Sequence, residues 1–134
     1  MNRSSLIVAS TMMFLGVALG AIGAHALEER ISDDALDSFE TGVRYLIYHG
    51  IVLLVLGLNK DRLNFKIRIV NHLFGWGTLL FSGSIFLLAT KEIHGIPVKF
   101  LGPVTPIGGI CLLSGWLGLI ILFVNFRIAK HKNG

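Results

Sequence analysis

Gly42-Val43-Arg44-Tyr45-Leu46-Ile47-Tyr48-His49-Gly50 heads an apolar run that continues without a further charge to Leu58. Spanning a ~30 Å hydrocarbon core takes roughly 20 helical residues, and Tyr45–Leu58 is too short to do so alone. The span must therefore take in Arg44 and reach Glu40. Counting back from Leu58 at ~1.5 Å per residue puts His49 close to the bilayer midplane and Arg44 roughly two turns shallower. A cationic side chain inside hydrocarbon is costly, so it pairs, lines a cavity or serves a function.

Three further runs approach spanning length. With the one above, the expected spans are Leu6–Ala26, Phe39–Leu58, Ile69–Thr90 and Ile107–Phe126. The 134 residues are 53% hydrophobic and only 15% charged, and the mean hydropathy of +0.71 is far above that of a soluble domain. Little chain lies outside these runs. The expectation is an all-α, polytopic membrane four-helix bundle forming a single domain over residues 1–134.

Arg3, the run from Leu6 and Ala24-His25-Ala26 together imitate a cleavable secretory signal. The run is longer than a usual signal core, and Gly16-Val17-Ala18-Leu19-Gly20 offers a small-residue face for helix packing, so we read a retained helix. Charge sets the orientation. The N-terminus, the Asn59–Arg68 loop and the tail hold Arg3, Lys60, Arg62, Lys66, Arg68, Arg127, Lys130 and Lys132 against Asp61 alone. The opposite side holds Arg30, Arg44, Lys91 and Lys99 with seven acids, Glu28, Glu29, Asp33, Asp34, Asp37, Glu40 and Glu92. Basic residues favour the cytoplasmic side, which places both termini there. With no organelle-targeting segment in view, the cell membrane is the expected location. The net charge of +4 follows from this topology; no nucleic-acid module accompanies it. The inner basic residues suit anionic lipid headgroups.

Ser32 is placed to cap a helix that Asp33 and Asp34 open favourably. Leu36, Phe39, Val43 and Leu46 recur at helical spacing. One long helix thus begins outside and becomes the second span. On it, Glu40 and Arg44 stand four residues apart, a spacing for an ion pair; Tyr48 follows four beyond, and Tyr45 and His49 form a second pair. At related levels lie His25, which ends the first span, Ser82 and Ser84 in the third, and Thr105 at the head of the fourth. There Thr105 reads as an N-cap and Pro106 as the first helical residue. Two readings of this set stay open. It is a polar lock between helices, in which case Arg44→Gln should cost roughly 1–3 kcal/mol, or it lines a ligand site open to the outer side.

No nucleophile elbow, phosphate loop or H-E-x-x-H pattern is present, and the expectation is no enzyme. Cys111 stands alone, so no internal disulfide is possible. His25, His49, His72, His94 and His131 do not form a level pair for haem, and two imidazoles without acid or cysteine support make a thin metal site. No cofactor or metal is expected. Asn71 and His72 read as interhelical hydrogen-bonding residues, and Trp76 and Trp116 as packing or lipid contacts.

Gly20-Ala21-Ile22-Gly23-Ala24-His25-Ala26-Leu27 resembles the first signature of the small membrane proteins called domain of unknown function 423, which include eukaryotic transmembrane protein 256. Phe39 to His49 resembles the second signature, Leu80 to Ser84 the third, and Gly102 to Gly109 with Gly115-Trp116 the fourth. The resemblance implies a four-span integral membrane protein and brings no established activity. Two kinds of function fit. One is a structural or accessory bundle that binds membrane lipids, a partner membrane protein or further copies of itself. The other is a small oligomeric transporter, channel or solute-binding protein with an outward polar cavity around Arg44.

Overall fold

The computed structural model describes residues 3–59 and 66–132, with only the backbone path for Lys66 and residues 126–132. Among them there is no strand. Helix α1 covers Arg3–Ile22 and runs on through a π-helical turn, Gly23–Leu27. Helix α2 covers Asp33–Leu58, and the short α4, Lys91–His94, follows α3, Lys66–Ala89. A 3₁₀ turn at Lys99–Leu101 leads into α5, Val104–Lys132. The four long helices are each long and apolar enough to cross a membrane.

The start of α2 follows its sequence signals. Ser32 Oγ accepts the Ala35 N–H at 3.3 Å, and Asp33 and Asp34 occupy the first turn. At α5 the expectation needs correcting. The helix begins at Val104, with Ile107 N–H donating to the Pro103 carbonyl, so Thr105 lies inside the first turn and is not its cap. Its hydroxyl has a partner on another helix, which removes it from capping.

The helices pack in succession, α1 on α2, α2 on α3 and α3 on α5. Association in lipid depends on close packing, because the tails are as apolar as leucine. Glycines supply that closeness. A Cβ on Gly108 of α5 would lie 2.5 Å from the Phe81 backbone nitrogen of α3, and one on Gly42 of α2 would lie 2.7 Å from the Phe86 ring. The small-residue pairs at Gly16 and Gly20 and at Gly115 and Gly118 serve the same internal purpose, against Ile47, Val43, Phe74 and Val70. Leu46, Leu53, Val70, Phe74 and Leu112 centre the main core, and Leu27, Ile31, Phe39, Val43 and Ala89 form a second core at the other end. Phe14, Val17, Trp76, Leu113 and Ile120 face outward, as lipid-facing side chains do.

Packing of Gly57 against Leu6 and of Gly118 against Val70 brings the start of α1, the end of α2, the start of α3 and the later part of α5 to one end. That end carries Arg3 and Arg68. Of the other charges counted there, Lys60, Asp61 and Arg62 lie outside the described residues, as do the side chains of Lys66, Arg127, Lys130 and Lys132. The opposite end carries Glu28, Asp33, Asp34 and Glu92.

Candidate functional site

His49, 4% exposed, lies where α2, α3 and α5 converge. Its Nδ1 is 2.8 Å from the Tyr45 carbonyl, an oxygen that only accepts, so Nδ1 carries the proton. Its Nε2 accepts the Trp116 indole N–H at 3.2 Å. Both nitrogens are thus occupied in the neutral ring. Rings surround it: Tyr45 stacks at 5.8 Å, Phe74 lies at 5.5 Å and Trp116 meets it edge-on at 6.1 Å. With the Nε2 lone pair held by Trp116, His49 has no free position for a metal ion or for taking a proton from a substrate.

Two hydroxyls of α3 tie it to the helices beside it. Ser82, 1% exposed, donates to the Gly42 carbonyl of α2 at 2.8 Å. Ser84 donates to the Phe81 carbonyl at 3.0 Å and therefore accepts from Thr105 of α5 at 2.6 Å. These links and His49–Trp116 are three separate polar contacts that join α2 to α3, α3 to α5 and α2 to α5.

Arg44 stands apart from them. Its Nη2 donates to Thr41 Oγ1 at 3.0 Å, and its Nη1 is 3.9 Å from Glu40 Oε2, with both side chains of the pair about half exposed (53% and 50%). Thr41 in turn donates to the Asp37 carbonyl at 3.0 Å. Helical side chains lean towards the N-terminus, and here that lean carries the guanidinium up its own helix towards the acidic end, as a snorkelling arginine does. Tyr48 is 56% exposed on the same helix, and His25 is exposed on the π-helical turn. The sequence-derived set therefore divides. Ser84 meets Thr105, while His49 and Ser82 are buried at separate contacts with Trp116 and Gly42, and Tyr45 lies at the edge; Glu40, Arg44, Tyr48 and His25 face outward.

Grooves lie between the helices, among them the following three. One of about 270 Å³ runs over Tyr45, His49, Phe81, Leu112 and Trp116 and is lined by no charged side chain. A second, of about 370 Å³, lies at the acidic end near Asp34, Lys91, Glu92 and Thr105. Another, of about 510 Å³, lies at the basic end between α1 and α3. Arg44 lines none of the three. Among the described residues no group of three or more His, Cys, Asp or Glu side chains comes together. His94 is engaged in its own loop, with Nε2 on the Leu87 carbonyl at 2.9 Å and Nδ1 accepting the Ile96 N–H at 3.0 Å.

Sequence reasoning missed Trp116 as the partner of His49. The signal was available: an indole N–H at mid-span needs an acceptor, and His49 is the mid-span imidazole. It also missed Thr41, which lies three residues before Arg44 on the same face. Asn71 was read as an interhelical residue, and its Nδ2 reaches Ser5 Oγ of α1 at 3.4 Å. Its Oδ1, like Thr78 Oγ1, is buried with no partner among the described residues.

Residues 19–109 match the family model described as "Protein of unknown function (DUF423)". The chain is similar to a UPF0382 membrane protein of Staphylococcus epidermidis, 36% identical over 121 residues that cover 90% of this chain and 95% of the relative. It is similar also to the UPF0382 membrane protein YwdK of Bacillus subtilis, 33% identical over 123 residues, 90% and 96% of the two chains. No solved structure matches.

Proposed function

The chain belongs to the DUF423 family, whose relatives above are membrane proteins of no established activity, and from that premise we propose that it is a non-catalytic accessory bundle of the cell membrane. It acts by holding lipid or a partner membrane protein, with both termini in the cytoplasm. The observation that carries this reading is the division of the polar residues. Ser82, Ser84, Thr105 and His49 are matched to partners inside the bundle, while Glu40, Arg44 and Tyr48 form an outward strip on α2. Polar groups that hydrogen-bond across helices fix a packing; a charged strip facing away from the bundle is placed to meet something outside it. A transport pathway would set Arg44 in a channel lining, and the internal groove over His49 has no charged residue in its lining.

The test is photo-crosslinking in native membranes with a benzophenone side chain in place of Tyr48. A discrete adduct to one membrane protein, to lipid or to a second copy, weakened by Arg44→Gln, supports the binding role. Solute flux in proteoliposomes that Arg44→Gln abolishes overturns it in favour of a transporter.

A further inference from the structure

The groove of about 510 Å³ between α1 and α3 at the basic end changes character along its length. Ser4, Arg68 and His72 line its mouth, and Val8, Leu53 and Leu79 line its deeper part. From Arg68 to Leu79 helix α3 advances about 16 Å, close to half of the ~30 Å hydrocarbon core. A polar mouth and an apolar trough one leaflet deep have the proportions of a single lipid. Midway, a Cβ on Gly75 would meet nothing within 4 Å, so the trough stays open where a side chain would narrow it.

A second observation points to an occupant. Asn71 lines the groove, is 7% exposed, and its Oδ1 has no donor among the described residues. A buried acceptor of this kind is ordinarily satisfied, and a headgroup hydroxyl is the donor that a leaflet can supply.

We propose that this groove holds one anionic phospholipid whose headgroup carries hydroxyls, the chemistry of phosphatidylglycerol. Its phosphate sits at Arg68 and His72, a headgroup hydroxyl donates to Asn71 Oδ1, and an acyl chain lies along Val8, Gly75 and Leu79. Charge complementarity supports the choice, because Arg3 and Arg68 lie at this end and, among the described residues, no acidic side chain does. A choline headgroup has no donor for Asn71. An ethanolamine headgroup has one but leaves the lipid without net charge. The site rests on the reading of the protein as a binding bundle and gives that reading a ligand; it does not require Arg68 to lack other contacts.

The test is native mass spectrometry of the full chain released from nanodiscs of equal phosphatidylglycerol, phosphatidylethanolamine and phosphatidylcholine. Wild type should keep one phosphatidylglycerol in preference to the others. Gly75→Leu fills a position that is open in the folded protein and should lower the retained fraction about tenfold. Asn71→Leu should weaken the preference in the same direction, and Gly83→Ala, outside the groove lining at a position where a Cβ meets nothing within 4 Å, should leave it unchanged. Equal retention by wild type and Gly75→Leu overturns the site, as does wild type favouring choline or ethanolamine lipid. Either result, accompanied by a Tyr48-directed adduct, removes this groove and keeps the bundle's binding role; Arg44-dependent flux removes the role itself.

Discussion

Ser82 Oγ donates to the Gly42 carbonyl at 2.8 Å, at a level where Gly42 has no side chain to hold α2 away from α3. Hydrogen bond and glycine act as one joint. The glycine allows the approach, and the serine exploits it with a donor that would otherwise lie unpaired in an apolar interior.

Ser82→Ala should therefore destabilise the bundle by about 0.5–1.5 kcal/mol. Gly42→Ala should cost about 1–3 kcal/mol, because its methyl group meets Phe86 and Ile85. Thermal unfolding in lipid nanodiscs measures both. Unchanged melting in both variants would remove the joint.

His49 and Trp116 should be energetically coupled. In a cycle of His49→Leu, Trp116→Phe and the double variant, the interaction is expected at about 0.5–1.5 kcal/mol, within the range for hydrogen bonds between membrane helices. Additive single effects would mean that the bond at 3.2 Å contributes nothing.

Arg44→Gln should leave stability within about 0.5 kcal/mol of wild type. The larger cost expected from sequence assumed a closed, buried network. The guanidinium is instead half exposed and pairs along its own helix. A loss above ~1 kcal/mol in nanodisc unfolding would restore Arg44 to the lock.

Gly108→Ala and Gly83→Ala should behave oppositely. A Cβ at position 108 meets the backbone of Phe81 and Gly77, which cannot yield without parting α3 from α5, so about 2–3 kcal/mol should be lost. A Cβ at position 83 meets nothing within 4 Å, and alanine there should be neutral or slightly stabilising through its better helix propensity. Parallel melting curves decide.

Reporter fusions test the orientation. A fluorescent protein joined after Gly134 should mature in the cytoplasm, whereas an alkaline phosphatase joined there should stay inactive; the reverse pattern would invert the topology.

The helices were legible because each long one carries an apolar stretch of spanning length, and the start of α2 was legible because Ser32, Asp33 and Asp34 form a local cap. The start of α5 was not, since Thr105 is a good cap by residue type and only the position of Ser84 on α3 shows where its hydroxyl goes. The same limit governed the candidate site. Periodicity and depth picked out Glu40, Arg44, Tyr48 and His49 together, and the pairing of Glu40 with Arg44 follows from spacing within one helix. Which of these residues face a neighbour depends on the direction from which α3 approaches α2. That direction is set by Gly42, Ser82 and Phe86, whose contacts bridge some forty positions of sequence, so His49 turns inward and Arg44 outward for reasons no local pattern contains.

The most direct measurement is solid-state nuclear magnetic resonance of nitrogen-labelled histidine and tryptophan in the lipid-embedded protein. A dry lock predicts a His49 ring protonated at Nδ1, with Nε2 bare, close to the Trp116 N–H and without water cross-peaks. A ring protonated at Nε2 and in contact with water would contradict it and would put a wet cavity in the middle of the bundle.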